Sequence, residues 1–149
     1  VRSGGLRMQV SEARLPGELL EEFCRELTWF AGEEGGGCET MLLIHPWTLT
    51  DFLEFNEFLG DCERTLEALD LDGVVQVASF HPRFQFAGTQ PDDIGNYTNR
   101  SPYPTLHLLR EASIARAVDG LEDPDEIYRA NIRTLQALGL EGWEKLWRD

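Results

Sequence analysis

The chain has 149 residues, with 27 acidic against 13 basic side chains and a formal net charge of −14 at pH 7. That length suits one domain with an adequate core, and 42% hydrophobic with 10% aromatic residues excludes an intrinsically disordered chain. The charge argues against non-specific nucleic-acid binding and against an anionic membrane surface, because both require a positive field.

No apolar run approaches the roughly 20 residues of a bilayer span and nothing reads as a signal peptide, so the expected location is the cytoplasm. Residues 6–11 alternate in polarity and predict a short strand. Pro16 opens a helix with Glu18, Glu21 and Glu22 near its positive end. Its apolar stripe is Leu19, Leu20, Phe23, Cys24, Leu27 and Phe30, and Gly32 with the glycines at 35–37 stops it. Residues 39–44 read as a buried strand ending at His45-Pro46. Thr48 or Thr50 is the expected cap of a second helix. Its seam of Phe52, Phe55, Leu59, Cys62, Leu66 and Leu69 recurs at steps of three and four. Asp51, Glu54, Glu57, Asp61 and Glu63 form the opposite, solvated face.

Asp72-Gly73 turns the chain into a strand over residues 74–81. Residues 82–104 lack a regular pattern apart from a turn of helix at 91–96, and connections of this length are often functional. Residues 106–118 are apolar on most sides and predict a central helix, with Ser101 as N-cap and Pro102 at its first position. Asp123-Pro124-Asp125-Glu126 is a strong helix start. That helix stops at Gly139, and a short tail helix places Trp143 and Trp147 four apart. The expected fold class is α/β: a small sheet of three or four strands packed with helices, an all-helical C-terminal part, and one domain over residues 1–149.

Residues 74–120 are the only neutral stretch, with four arginines against four acids, and they hold two of the three histidines. The candidate site lies there: His81 at a strand end, Asn96, Asn99, Arg100 and Ser101 in the connection, and His107, Arg110 and Glu111 on the helix. A helix start beside Arg100 suits a phosphate or carboxylate, although Pro102 and Pro104 each remove an N–H. On a helix, His107 and Glu111 share a face, with Arg110 beside them. One reading is a salt bridge that orients the helix, in which loss of Glu111 destabilises by leaving Arg110 unpaired. The other makes His107 an acid/base group, with Glu111 setting its tautomer and Arg110 holding an anion.

A weaker alternative is a zinc site from His45, His81 and His107, or from two of them with Asp92 or Glu111, since His45 and His81 end strands. No HxH, HExxH or Cys-His spacing supports it. Cys24 and Cys62 read as buried, reduced thiols, and Cys38 is open between buried and exposed. GxGxxG, P-loop and GxSxG motifs are absent and the one lysine is Lys145, so the sequence indicates no particular cofactor.

Phe80-His81-Pro82-Arg83-Phe84-Gln85-Phe86-Ala87-Gly88-Thr89, then Asp92-Asp93, and the run NYTNRSPYPTLHLLRE from Asn96 to Glu111 resemble the bacterial family named domain of unknown function 1415. The resemblance is dense over residues 39–120 and extends loosely to LGLEGW at Trp143. It implies membership of that family and assigns no reaction. Members begin with a helix bearing a Cys-Pro-Phe-Ala-type motif that this sequence lacks. With Val1 at its start, the resemblance implies a further N-terminal segment that completes the family's pattern.

The functional expectation is an enzyme acting on a small anionic substrate, with His81, His107 and Glu111 catalytic. Asn96, Asn99, Arg100, Ser101 and Arg110 would bind it. The alternative is a non-catalytic ligand-binding or interaction module that uses the same groups as a structural network. Neither nucleic acid nor membrane is an expected partner, and the sequence sets no oligomeric state.

Overall fold

The computed structural model describes residues 2–3, 5–123 and 125–147. Five strands form one sheet: β1 (Arg2–Ser3), β2 (Leu6–Val10), β3 (Thr40–Ile44), β4 (Val75–Phe80) and β5 (Thr105–Arg110). Their order is β1-β2-β3-β5-β4. The helices are α1 (Pro16–Ala31), α2 (Phe52–Ala68), α3 (Glu111–Asp119) and α4 (Asp125–Leu146), with 3-10 turns at Glu33–Gly35 and Ile94–Asn99. The α/β class and the helical C-terminal part are as expected, with β1 added as a two-residue antiparallel edge.

β2 and β3 are parallel and joined through α1. β3 and β4 each pair antiparallel with β5, so these two also run in one direction, and α2 crosses from one to the other. The carboxyl ends of β2, β3 and β4 therefore share one edge of the sheet, where Ser11, His45 and His81 follow. Met41 and Leu43 on β3 oppose Leu108 and Leu106 on β5. All four join one buried cluster with Leu19, Phe23, Leu27 and Phe30 of α1 and Phe55, Phe58, Cys62 and Leu66 of α2. α1 and α2 thus cover the same face, and each fully buried Leu or Phe there contributes about 1.5–3 kcal/mol.

Local chemistry explains the boundaries. Pro16 takes the first position of α1, and the Glu18 carboxylate accepts from the backbone N–H groups of Arg14 (2.9 Å) and Leu15 (3.2 Å). Gly35 follows α1 in a buried turn where a Cβ would lie 2.7 Å from the Phe30 carbonyl oxygen, so no side chain fits. The expected cap at Thr48 or Thr50 is corrected to Asp51, whose carboxylate accepts from Glu54 N at 3.0 Å. Thr48 is buried before the helix and its carbonyl is held by His45. Along α2, Phe58 is buried while Leu59 is only half-buried, and Leu69 lies past the last turn, 45% exposed. Asp123 starts α4 by accepting from Asp125 N at 3.1 Å, while Pro124 lies outside the described residues. Gly139, at φ 70, interrupts α4 where the sequence predicts a stop.

The main correction concerns residues 106–118. They form β5 as far as Arg110 and become helical only as α3, which buries no side chain. β5 lies between β3 and β4 and has apolar residues on both of its faces. Its sequence therefore lacks the two-residue alternation of a half-buried strand and runs directly into helix-forming residues. Ser101 caps no helix; its hydroxyl donates to the Tyr103 carbonyl at 2.6 Å. Among the described residues no helix is long and apolar enough to cross a membrane.

Candidate functional site

The shared carboxyl edge of β3 and β4 is the position at which open α/β sheets hold ligands. The loop from His45 to Asp51 crosses this edge and two buried imidazoles anchor it. His45 Nδ1 donates to the Thr48 carbonyl (3.0 Å), and His81 Nε2 donates to the Leu49 carbonyl (3.1 Å). Leu49 itself has a left-handed backbone, φ 61, which the two anchors hold in place. His81 Nδ1 accepts from Arg83 N at 3.0 Å, so both its nitrogens are engaged and its neutral tautomer is set. Both rings pack against Phe55, with centroids 5.4 and 5.1 Å away. Burial lowers both imidazoles. His45 falls to about 4, partly offset by its bond to Thr48, and His81 falls for the same reason, offset by its bond to Leu49. Among the described residues no group bonds the buried His45 Nε2 atom.

Outside this anchor a cavity of about 730 Å³ is lined by Asp51, Phe52, Arg83, Gln85, Asp92, Tyr97 and Arg100. Its walls come from the start of α2 and the long connection after β4. That connection is tied internally by Asn96, which is buried. Its Oδ1 accepts from Phe86 N (2.9 Å) and Thr89 Oγ1 (3.1 Å), and its Nδ2 donates to the Gln90 carbonyl (2.8 Å). Asn99 Nδ2 donates to the Ser79 carbonyl at 3.0 Å, pinning the same connection to β4. Arg100 donates to the carbonyls of Phe84 (3.0 Å) and Pro91 (2.5 Å), with its guanidinium 4.1 Å over the Tyr97 ring. Arg83 is exposed, and among the described residues its guanidinium has neither a carboxylate nor a carbonyl partner.

Of the residues singled out in the sequence, the structure brings His81, Asn96, Asn99 and Arg100 to this edge, and only Arg100 lines the cavity. His107 is on the opposite face of the sheet, its Nε2 2.6 Å from Thr40 Oγ1, and burial lowers its pKa. Arg110 ends β5 at the far edge, where it donates to the carbonyls of Cys38 (2.9 Å), Phe30 (3.0 Å) and Gly35 (2.7 Å). Its guanidinium also stacks 4.2 Å from the Phe30 ring centroid. Glu111 begins α3 and pairs with neither His107 nor Arg110, so the helical His-Arg-Glu stripe does not form. Ser101 flanks the second face of the sheet. Sequence reasoning grouped Arg83 with Arg100 and Arg110 as the arginines of the neutral stretch without making it a site residue, and it did not single out Gln85 or Tyr97. The signal available was the position of Arg83 two residues beyond a strand end.

His45 and His81 come together without His107, and among the described residues no group of three His, Cys, Asp or Glu side chains is arranged to hold a metal. The described cysteines are all free; Cys38 and Cys62 are buried. Burial, with Asp61 and Glu63 nearby, raises the Cys62 thiol to about 12 and leaves it un-ionised at neutral pH. No curated protein and no solved structure matches the chain. Residues 1–145 match the model of the family described as Protein of unknown function (DUF1415), and the chain belongs to that family.

Proposed function

We propose that the protein binds a small anionic molecule in the cavity at the carboxyl ends of β3 and β4, with Arg83 and Arg100 as its cationic contacts. The observation that carries this reading is the Arg83 guanidinium, without a carboxylate or carbonyl partner among the described residues, in the wall of the same 730 Å³ space as Arg100. Arg100 is oriented by two carbonyls and an aromatic ring, none of which neutralises its charge. Phe52 and Leu53, the first residues of α2, also line the cavity, and the positive end of that helix favours an anion. Asp51 and Asp92 stand in the same walls and suit hydroxyl or ammonium donors. The ligand class is therefore a phosphate or carboxylate that also carries such donors. His81 serves this site by holding the loop, because neither of its ring nitrogens is free to exchange a proton with a ligand.

Calorimetric titration with inorganic phosphate and glycerol 3-phosphate tests the reading. The expected result is binding at up to millimolar concentration that weakens about tenfold or more in Arg83→Ala, the loss of one charge-assisted contact. The thermal midpoint of that variant stays at the wild-type value. Absence of heat with both ligands, or equal affinity in Arg83→Ala, removes the proposal.

A further inference from the structure

The sheet has two faces and α1 and α2 cover only one. The residues that alternate with the core positions point the other way: Leu6 and Val10 on β2, Leu42 and Ile44 on β3, His107 on β5 and Phe80 on β4. The described strand positions of β2 to β5 on this face carry no charged residue, and Val10 is 56% exposed. α3 buries no side chain and α4 buries only Leu135, so neither of these helices seals the face. In its middle a cavity of about 300 Å³ opens between Leu42, Ile44, Phe80 and Pro102, with His107 in the wall.

We propose that this face seats an amphipathic α-helix of a partner, with an uncharged aliphatic stripe, one hydrogen-bond donor within it, and basic flanks. An apolar sheet face is stable when a second layer buries it, and a helix is the layer already used on the other side. The size of the face selects among occupants. Four strands spaced about 4.8 Å apart and five residues rising about 3.3 Å each give a patch of about 19 by 17 Å. Its footprint falls well short of the roughly 800 Å² per partner of a stable dimer, so the face suits a short helix that binds transiently and does not by itself hold a second copy. A helix about 10 Å wide spans its length in about 12 residues. A small ligand filling the cavity would leave Leu6 and Val10 in water. Charge makes the same selection: a second copy also carries −14, whereas basic flanks are attracted.

His107 sets the polar element. The Thr40 hydroxyl donates to the Leu108 carbonyl at 3.2 Å, so it receives the His107 Nε2–H. The Nδ1 atom is then the acceptor, and the matching group on the helix is a hydroxyl or amide N–H.

The probe is a synthetic peptide of about 14 leucines, lysines and one central serine patterned for a single apolar stripe, beside a scrambled peptide of the same composition. Fluorescence anisotropy at 0.15 M salt limits purely ionic attraction. The expected result is at least about tenfold tighter binding of the patterned peptide. This preference disappears in Leu42→Glu and persists in Leu146→Glu on α4. Leu42→Glu keeps the wild-type thermal midpoint, because its side chain leaves no core position; if it fails to fold, Val10→Glu gives the same reading from the exposed rim. Equal binding of the two peptides, or an undiminished preference in the face variants, overturns the proposal. So does sedimentation as a dimer that Leu42→Glu dissociates, since the face then belongs to a second copy.

Discussion

Arg110 and Glu111 are neighbours in sequence with unrelated environments, and that contrast gives the first prediction. Arg110 donates to three carbonyls, those of Phe30 at the end of α1, Gly35 in the turn and Cys38 before β3. Arg110→Met leaves these partly buried acceptors short of a donor and is expected to destabilise by about 2–4 kcal/mol. Glu111→Ala removes no bond and is expected to stay within about 0.5 kcal/mol. Urea unfolding of both variants checks the difference, and equal losses would mean that the two side chains act as a pair. His45 gives the second prediction. Its folded pKa of about 4 lies below the ordinary histidine value of 6.5, so the unfolded chain binds the extra proton between these limits. Stability is therefore unaffected by this group above about pH 6.5 and falls as the pH drops towards 4, by up to about 3 kcal/mol. His45→Phe should flatten that part of the stability profile; an unchanged slope would place the proton uptake on another group.

At the scale of elements, the sequence spoke clearly where a helix lies half in water. The stripes of α1 and α2 are legible because one face must be apolar and the other polar, and Pro16 at the start of α1 and Gly139 at the break in α4 act through backbone geometry. β5 is not legible, because neighbours on both edges and apolar residues on both faces remove its alternation. That misreading displaced half of the candidate site. On a helix, His107, Arg110 and Glu111 would meet; on a strand antiparallel to β4, each step carries the chain about 3.3 Å away from the edge that holds His81. Arg110 consequently reaches the far side of the sheet. Arg83 and Arg100 come to line one cavity through the long connection, whose path depends on Asn96 and Asn99 bonding to carbonyls that no periodic pattern encodes. The turn after α1 is a simpler case. A Cβ at Gly35 would collide with the carbonyl oxygens of Trp29 and Phe30. Gly35→Ala is expected to cost about 2 kcal/mol or more through displacement of the turn that Arg110 also holds. A thermal midpoint equal to wild type would show that the turn relocates freely.

Over the whole molecule the charge of −14 is unevenly spread, and its unevenness is testable. Residues 38–73 carry nine acids against Arg64 alone, most of them on α2. The last turn of α2 holds no basic residue, although its carbonyl end favours one. Glu63 and Glu67 are exposed and four apart, so their charges repel along the helix. The folded chain concentrates this charge more than the unfolded chain does, so added salt should raise the wild-type thermal midpoint by screening it. Glu67→Lys relieves three terms at once: the repulsion from Glu63, the unfavourable end charge and the net charge. Its expected gain is about 0.5–1.5 kcal/mol at low ionic strength, the sum of a like-charge pair and a helix-end effect. Glu67→Gln removes the repulsion without adding the attraction and should give about half of that gain. Because every one of these terms acts through solvent, the advantage of both variants over wild type should shrink towards zero in 1 M salt, where charges are screened within about 3 Å. An advantage that is independent of salt would assign the effect to helix propensity and leave the acidic band of α2 without a role in stability.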